Sequence, residues 1–426
     1  MTVQEVIDYI HSANWMGSVP CLSRTENLLS MMGNPEKKLK FVHIAGTNGK
    51  GSTAAMAASI LTKAGYKTGL YTSPYIYRFH ERMQIDGEQI SDEDLVEIAE
   101  FVKPLADSLD QHPREFELVC CIAFEYFARK NCDIVVLEVG MGGAFDATNV
   151  IECPEAAVIT NIGLDHTDFL GNTLEEIAET KAGIFKEGGH AVVYRGTPGV
   201  EAVFERIAAE KHITLHKADF ESLRNKSLDL FGQVFDCGDR KDIELPLLGE
   251  HQMFNASVVL SIMDALIEQG WKITEEQIRE GLRTVTWPGR FDIVSRDPLF
   301  IIDGGHNPQC IEALVKNIQD YLKDRRVIAL VGVLADKDYA EMFRPVMELV
   351  EQFVCITPDS PRKLEADDLA AYLRGVGAKA EGCGEMENGI RRCLELAGSD
   401  GVVLCFGSLY SIGAVKDTLE AVLAEK

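Results

Sequence analysis

The stretch Lys40-Phe41-Val42-His43-Ile44-Ala45-Gly46-Thr47-Asn48-Gly49-Lys50-Gly51-Ser52 decides how this chain is read. A short apolar run stops on a glycine, and a helical pattern starts within a few residues. Glycines let backbone amides turn inward and approach an anion closely. The N-terminus of the following helix aims further N–H groups at the same point. Lys50 adds a mobile positive charge, and Ser52 or Thr53 adds a hydroxyl near a magnesium ion. The run departs from the usual G-x-x-x-x-G-K-[ST] template in two places. Ile44 stands where the first glycine belongs, and Gly51 pushes the hydroxyl one place along. The strand–loop–helix context still marks a phosphate-binding loop, so the sequence predicts an ATP-using protein.

Outward from this loop, apolar runs alternate with helical patterns. Phe41–Ala45, Ile134–Val139, Ala156–Thr160, Ala191–Tyr194, Phe300–Asp303, Val327–Val333, Phe353–Thr357 and Val402–Phe406 read as buried strands. Ser52–Ala64, Leu118–Arg129, Asn255–Gln269, Ile311–Leu322 and Met386–Leu396 read as helices. This alternation predicts an α/β protein with doubly wound, mostly parallel sheets, whose strands are apolar throughout because both faces are covered. A length of 426 residues exceeds what one core usually supports. The Pro288-Gly289 pair ends the helix Glu275–Arg283, which places a linker at Trp287–Asp297. The expected division is a phosphate-loop domain over 1–290 and a smaller Rossmann-like domain over 291–426. Thr214–Lys217 and Leu228–Val234 read as short antiparallel strands.

Composition removes other function classes. Lys plus Arg total 42 and Asp plus Glu total 67, for a net charge of −25. That argues against a nucleic-acid partner and requires a local basic pocket for any anionic ligand. The 11 cysteines are scattered without a CxxC spacing and read as reduced core residues. The N-terminus lacks the basic start and apolar stretch of a signal peptide, and no run reaches the length of a membrane span. The expected location is the cytoplasm.

Candidate chemistry sits at strand ends, where doubly wound sheets bind ligands. Glu138 ends the run Asp133–Glu138 and is followed by Val139-Gly140-Met141-Gly142-Gly143. A carboxylate there needs a partner, and a magnesium ion would supply one. Asn161–His166 continues the next strand, and His166 beside Glu138 is a candidate metal ligand. Lys181 reads in isolation as a solvated helix lysine. Asp303, in Asp303-Gly304-Gly305-His306-Asn307-Pro308, repeats the strand-end pattern, and Arg290 stands in the linker before it. Both are placed to meet one nucleotide from across a cleft.

Several motifs together resemble the folylpolyglutamate synthase family, including its bifunctional dihydrofolate synthase members, within the Mur ligase superfamily. They are Gly46–Ser52, Tyr71–Pro74, Glu138–Asn149, Asn161–His166, Thr180–Ile184, Trp287–Arg290, Asp303–Pro308 and Phe406–Tyr410. The resemblance implies that Thr47, Asn48, Gly49, Lys50, Gly51 and Ser52 hold ATP phosphates. It implies that Asn255, Arg290, Asp303, His306 and Ser408 face the nucleotide, and that Ser73, Glu138 and His166 hold Mg2+. It implies a carbamylated Lys181, with Lys50, His166 and Lys181 as the catalytic group. A pterin-bearing substrate would lie near Leu22, Ser23, Arg24, Phe116, Glu117, Phe145 and Asp146. The implied reaction adds L-glutamate to a folate, with dihydropteroate as an alternative acceptor, through an acyl phosphate, in a monomer. Two places depart from the family pattern: Val19–Thr25 in the substrate segment, and Ala144. A cell-wall ligase of the same superfamily would carry an extra domain ahead of the loop, whereas 45 residues precede Gly46.

Overall fold

Phe41–Ala45 forms a central strand, and a helix begins at Lys50, one residue after Gly49. The computed structural model describes residues 1–13, 21–305, 307–335, 339–407 and 409–425, without the side chains of 168 and 409–412. The first sheet comprises β1 (Phe41–Ala45), β2 (Thr68–Tyr71), β3 (Met83–Ile85), β4 (Glu88–Gln89), β5 (Ile134–Glu138), β6 (Ala156–Ile159), β7 (His190–Val193) and β8 (Thr214–Lys217). Its order is β4-β3-β2-β5-β1-β6-β7-β8, parallel from β2 to β8, with β3 and β4 as an antiparallel edge. Side chains alternate between two covered faces. Val42, Ile44, Ile134 and Val136 pack against the helices Lys50–Lys63, Glu250–Glu268 and Glu275–Thr284. Phe41, Val135 and Leu137 pack on the other side against Glu115–Arg129 and Asp92–Asp107.

Thr214–Lys217 corrects an expectation. It is the outer parallel strand β8, reached from β7 through the crossover helix Pro198–Glu210. An edge strand has one neighbour and a partly wet face, so its polar alternation imitates a hairpin strand. An antiparallel unit does follow. β9 (Arg224–Asp229), β10 (Gly232–Cys237) and β11 (Arg240–Leu245) form a three-stranded sheet in the order β11-β10-β9. Its first turn is set by the Asp229 carboxylate, which accepts from Phe231 N at 2.6 Å and Gly232 N at 3.2 Å.

The third sheet comprises β12 (Asp292–Arg296), β13 (Leu299–Ile302), β14 (Val327–Val331), β15 (Gln352–Ile356), β16 (Ala380–Gly384) and β17 (Val402–Phe406). Its order is β12-β13-β17-β14-β15-β16, and β12 alone is antiparallel to its neighbour. The interval Trp287–Asp297 is therefore more than a linker. Pro288-Gly289 ends one path of the chain, and Asp292–Arg296 then pairs back on β13. Two apolar layers, one around Ile301, Val331 and Phe353 and one around Phe300, Leu330 and Val354, cover both faces. Two largely parallel, doubly wound sheets are the class that the sequence predicts.

The helix Ser23–Met31 is fastened to Glu115–Arg129 by a buried ion pair. Arg24 donates from Nε at 2.9 and 3.1 Å and from Nη2 at 2.6 Å to the Glu117 carboxylate. Each side chain is 10% exposed. Glu117 also accepts from Arg114 N at 2.9 Å, capping its own helix. Removing one partner leaves the other charge buried. Arg24→Met should therefore lower unfolding free energy by roughly 3–5 kcal/mol in urea titrations. The double substitution Arg24→Met with Glu117→Gln keeps the capping oxygen, removes both charges and should recover most of that loss. A cost below about 1 kcal/mol for Arg24→Met would refute a structural pair.

Candidate active site

The phosphate loop is held in shape by β6 and the residues after it. Thr47 N donates to Asn161 O at 2.7 Å, and the Thr47 hydroxyl donates to Gly163 O and accepts from Gly163 N, both at 3.1 Å. Thr160 Oγ1 donates to Asn48 O at 2.8 Å. Two glycines are demanded by close approach. Gly49 has φ +83°, and a Cβ there would lie 2.5 Å from Asn255 Oδ1. A Cβ on Gly51 would lie 2.6 Å from the Trp287 ring. Gly51 therefore departs from the template because Trp287 fills the space that a side chain would need.

Lys50 bends back over the loop, its Nζ donating to Gly46 O at 3.2 Å and Thr47 O at 3.1 Å. Ser52 accepts from Gln252 Nε2 at 3.2 Å, and Gln252 Oε1 accepts from Asn255 Nδ2 at 3.1 Å. Asn48 reaches across to the third sheet's first helix. It donates to Gln309 Oε1 at 2.8 Å and accepts from Asn307 Nδ2 at 3.0 Å. The loop is thus also a joint between the two sheets.

A cavity of about 510 Å3 opens above the loop. It is lined by Thr47 to Ser52, Ser73, Glu138, His166, Lys181, Asn255, Arg290 and Asp303, together with Asp165, His251, Gln252 and Arg362. A basic pocket of Lys50, Lys181, Arg290 and Arg362 thus exists within a chain of net charge −25. Glu138 is 4% exposed, and its Oε2 accepts from Ser73 N at 3.2 Å. Burial raises its pKa to about 7, against the pull of Lys50, the Ser73 amide and Arg290. Such a carboxylate, facing a cavity that Ser73 also lines and with no salt bridge among the described residues, suits a hard divalent cation. His166, exposed and in the left-handed region at φ +50°, lines the same cavity.

Lys181 is the main correction to the isolated reading of a helix lysine. It is 4% exposed, and its Nζ donates to Gly46 O at 2.9 Å. Burial, with Lys50 adding to it, lowers its pKa to about 7. Asp303 is held by the chain that joins the two sheets. Its oxygens accept from Phe291 N at 2.9 Å and Gly305 N at 2.7 Å, and burial raises its pKa. His306 and Ser408 lie outside the described residues.

None of the residues expected at a pterin is among those lining this cavity. Arg24 and Glu117 hold each other. Asp146 is buried and caps a short turn, accepting from Thr148 N at 3.0 Å, Thr148 Oγ1 at 2.6 Å and Met141 N at 3.0 Å. It therefore shapes the loop after Glu138. Phe116 packs over Gly140, where a Cβ would meet its ring at 2.5 Å. Leu22 is half-buried and Ser23 exposed, and Phe145 presents its ring with 65% of its surface exposed. Sequence reasoning does not single out His251 or Gln252. The only signal for Gln252 is its position one helical turn before Asn255. Burial and then Arg290 lower the His251 pKa to about 4, so it faces the cavity neutral.

Residues 44–263 match the Mur ligase middle domain, and residues 289–409 match the Mur ligase glutamate ligase domain. The chain is 36% identical over 98% of its length to the dihydrofolate synthase/folylpolyglutamate synthase of Bacillus subtilis, covering 99% of that relative. Folylpolyglutamate synthase of Mycobacterium tuberculosis complexed with ADP superposes with a TM-score of 0.90 at 30% identity, covering 98% of each chain. Escherichia coli FolC in complex with DHPP and ADP superposes with a TM-score of 0.87 at 30% identity, covering 99% of each. With the phosphate loop, the strand-end carboxylate and the third sheet arranged as described, the chain belongs to the dihydrofolate synthase/folylpolyglutamate synthase family of Mur ligases.

Proposed function

We propose that this protein is an ATP-dependent ligase that joins L-glutamate to a folate, with dihydropteroate as a further acceptor. One observation carries the reading. The phosphate loop, a buried strand-end carboxylate, the cations Lys50 and Arg290 and the Lys181 amine converge on one cavity between two sheets. The relative complexed with ADP and the one complexed with DHPP and ADP support it.

A carboxylate does not react directly with an amine, because oxide is a poor leaving group. The acceptor carboxylate oxygen attacks the γ-phosphorus of ATP, and ADP departs. The glutamate nitrogen, having lost a proton, attacks the carbonyl carbon of the acyl phosphate. The tetrahedral adduct collapses to the amide and releases inorganic phosphate. The protein supplies position and counter-charge. Loop amides and Lys50 would meet the phosphates, and Arg290 the charge that builds during transfer. Asn255 and Asp303 would orient the nucleotide. Ser73, Glu138 and His166 would hold Mg2+, which supplies further charge neutralisation when bound. The third sheet closes the cavity against water, which would otherwise hydrolyse the acyl phosphate. A neutral Lys181 amine is the form that adds CO2 to give a carbamate, and the cavity keeps it near neutrality. The proposal includes a cytoplasmic, monomeric enzyme.

Phosphate release measured with and without L-glutamate and each acceptor tests the reaction. It should require both, and release indifferent to them would sink the ligase reading. Glu138→Ala should lower turnover by about 10²–10³-fold or more with circular dichroism unchanged. Near-normal turnover would remove Glu138 from the site. Lys181→Ala should be impaired and partly restored by acetate, and unimpaired turnover would remove Lys181 from the mechanism.

Glu138 also makes a pH prediction. Its folded pKa of about 7 lies above its ordinary 4.5, so the folded state binds more protons in that window. Its contribution to stability is present below about 4.5 and is lost as pH rises through about 7. Metal-free protein should therefore lose up to about 3 kcal/mol relative to Glu138→Gln across this range. Urea midpoints at several pH values read this directly. Parallel curves for the two proteins would contradict it.

A further inference from the structure

A second cluster of ligating side chains lies at the other end of β7 from the cavity. His190 opens β7, whereas Tyr194, just past its end and about 13 Å further along the strand, lines the cavity. His190 pairs with Thr214 and Val192 with His216, so both histidines project from the same face of the sheet. The helix Glu250–Glu268 covers that face, and its last residue reaches the pair.

His190 Nδ1 and His216 Nε2 lie 3.3 Å apart, with the rings inclined by 18°. A Glu268 carboxylate oxygen lies 3.8 Å from His216 Nε2. The three ligand atoms fall within 4.8 Å of one another, and this is the one such grouping found among the described residues. Two nitrogens bound tetrahedrally to zinc at 2.0–2.1 Å are themselves roughly 3.3 Å apart. The two ring nitrogens, which share a hydrogen bond at this distance, are thus spaced like one edge of a tetrahedral site, and a cation would replace the shared proton. Glu268, with 60% of its side chain exposed, can swing inward by the remaining distance. Asp264, one turn earlier, is occupied by Arg240 at 2.6 and 3.1 Å. Carbonyls at the end of the helix add a negative field favourable to a cation.

We propose that His190, His216 and Glu268 form a binding site for a divalent cation of the zinc class, with water as the remaining ligand. Two imidazole nitrogens and one carboxylate oxygen favour Zn2+, Co2+ or Ni2+ over Mg2+ or Ca2+. The ligands come from two neighbouring strands and the helix above them. The bound ion would pin the outer strand β8 to β7 and to the end of Glu250–Glu268. It acts on stability, at a distance from the ligase chemistry.

The test uses the full chain, stripped with a chelator and titrated with Co2+, then with Zn2+. With Mg2+ in excess to occupy the site at Glu138, wild type should bind one Co2+ with visible d–d bands and no strong thiolate charge-transfer band, and Zn2+ should displace it and raise the Tm. His216→Gln should lose the bands and the Tm rise while keeping ligase turnover. Glu268→Gln, on an exposed side chain that does not support the core, should weaken binding by roughly tenfold or more. It decides the matter if His216→Gln does not fold. Absence of the bands in wild type, a thiolate band, or spectra and affinity unchanged in Glu268→Gln would overturn the proposal.

Discussion

Two groups of opposite charge are buried in one cavity with, among the described residues, only backbone hydrogen-bond partners. Glu138 accepts from Ser73 N, and Lys181 donates to Gly46 O. Neither is in a salt bridge among the described residues, and burial drives both pKa values to about 7. Ionising a carboxylate away from water costs free energy unless a counter-charge arrives. The fold therefore keeps a charge deficit at Glu138 that a cation relieves, and an amine at Lys181 poised between two states. The position of Glu138 is not adjustable. It ends β5, which is paired in register with β1, Ile44 beside Glu138, and with β2 on its other side. The hydrophobic layers that stabilise the sheet also fix the carboxylate beside the phosphate loop.

The parts of this arrangement that were legible in the sequence are those governed by local pattern. Central strands such as Val327–Val331 read clearly because both faces are covered and the residues are apolar without alternation. The phosphate loop read clearly because glycines and a lysine between strand and helix have few other uses. Thr214–Lys217 read as an antiparallel strand and Asp292–Arg296 as part of a linker, because an edge strand is polar enough to imitate either. Lys181 was illegible for a different reason. Its burial is created by the loop after β1, far away in sequence, and no helical spacing reports that. The same holds for Arg24 and Glu117, separated by 93 positions, whose mutual pairing no sequence pattern announces. For these residues, roles came only from resemblance to a family. The structure shows Arg24 and Glu117 fastening two helices.

The loop's departures from the common template have a packing origin, and that origin links the nucleotide site to the joint between the sheets. A hydroxyl directly after Lys50 would need a Cβ where the Trp287 ring lies. Trp287 belongs to the segment that leads to Arg290 and then, through Phe291 N on Asp303, to the end of β13. Asn48 is gripped from the same side by Asn307 and Gln309 at the start of the next helix. Any movement of the third sheet must therefore shift contacts made by Asn48 and Gly51, two residues that bracket Lys50. Through Gly51 against Trp287 and Asn48 against Asn307 and Gln309, the cradle is packed directly on the chain that enters the third sheet and on the helix that follows β13.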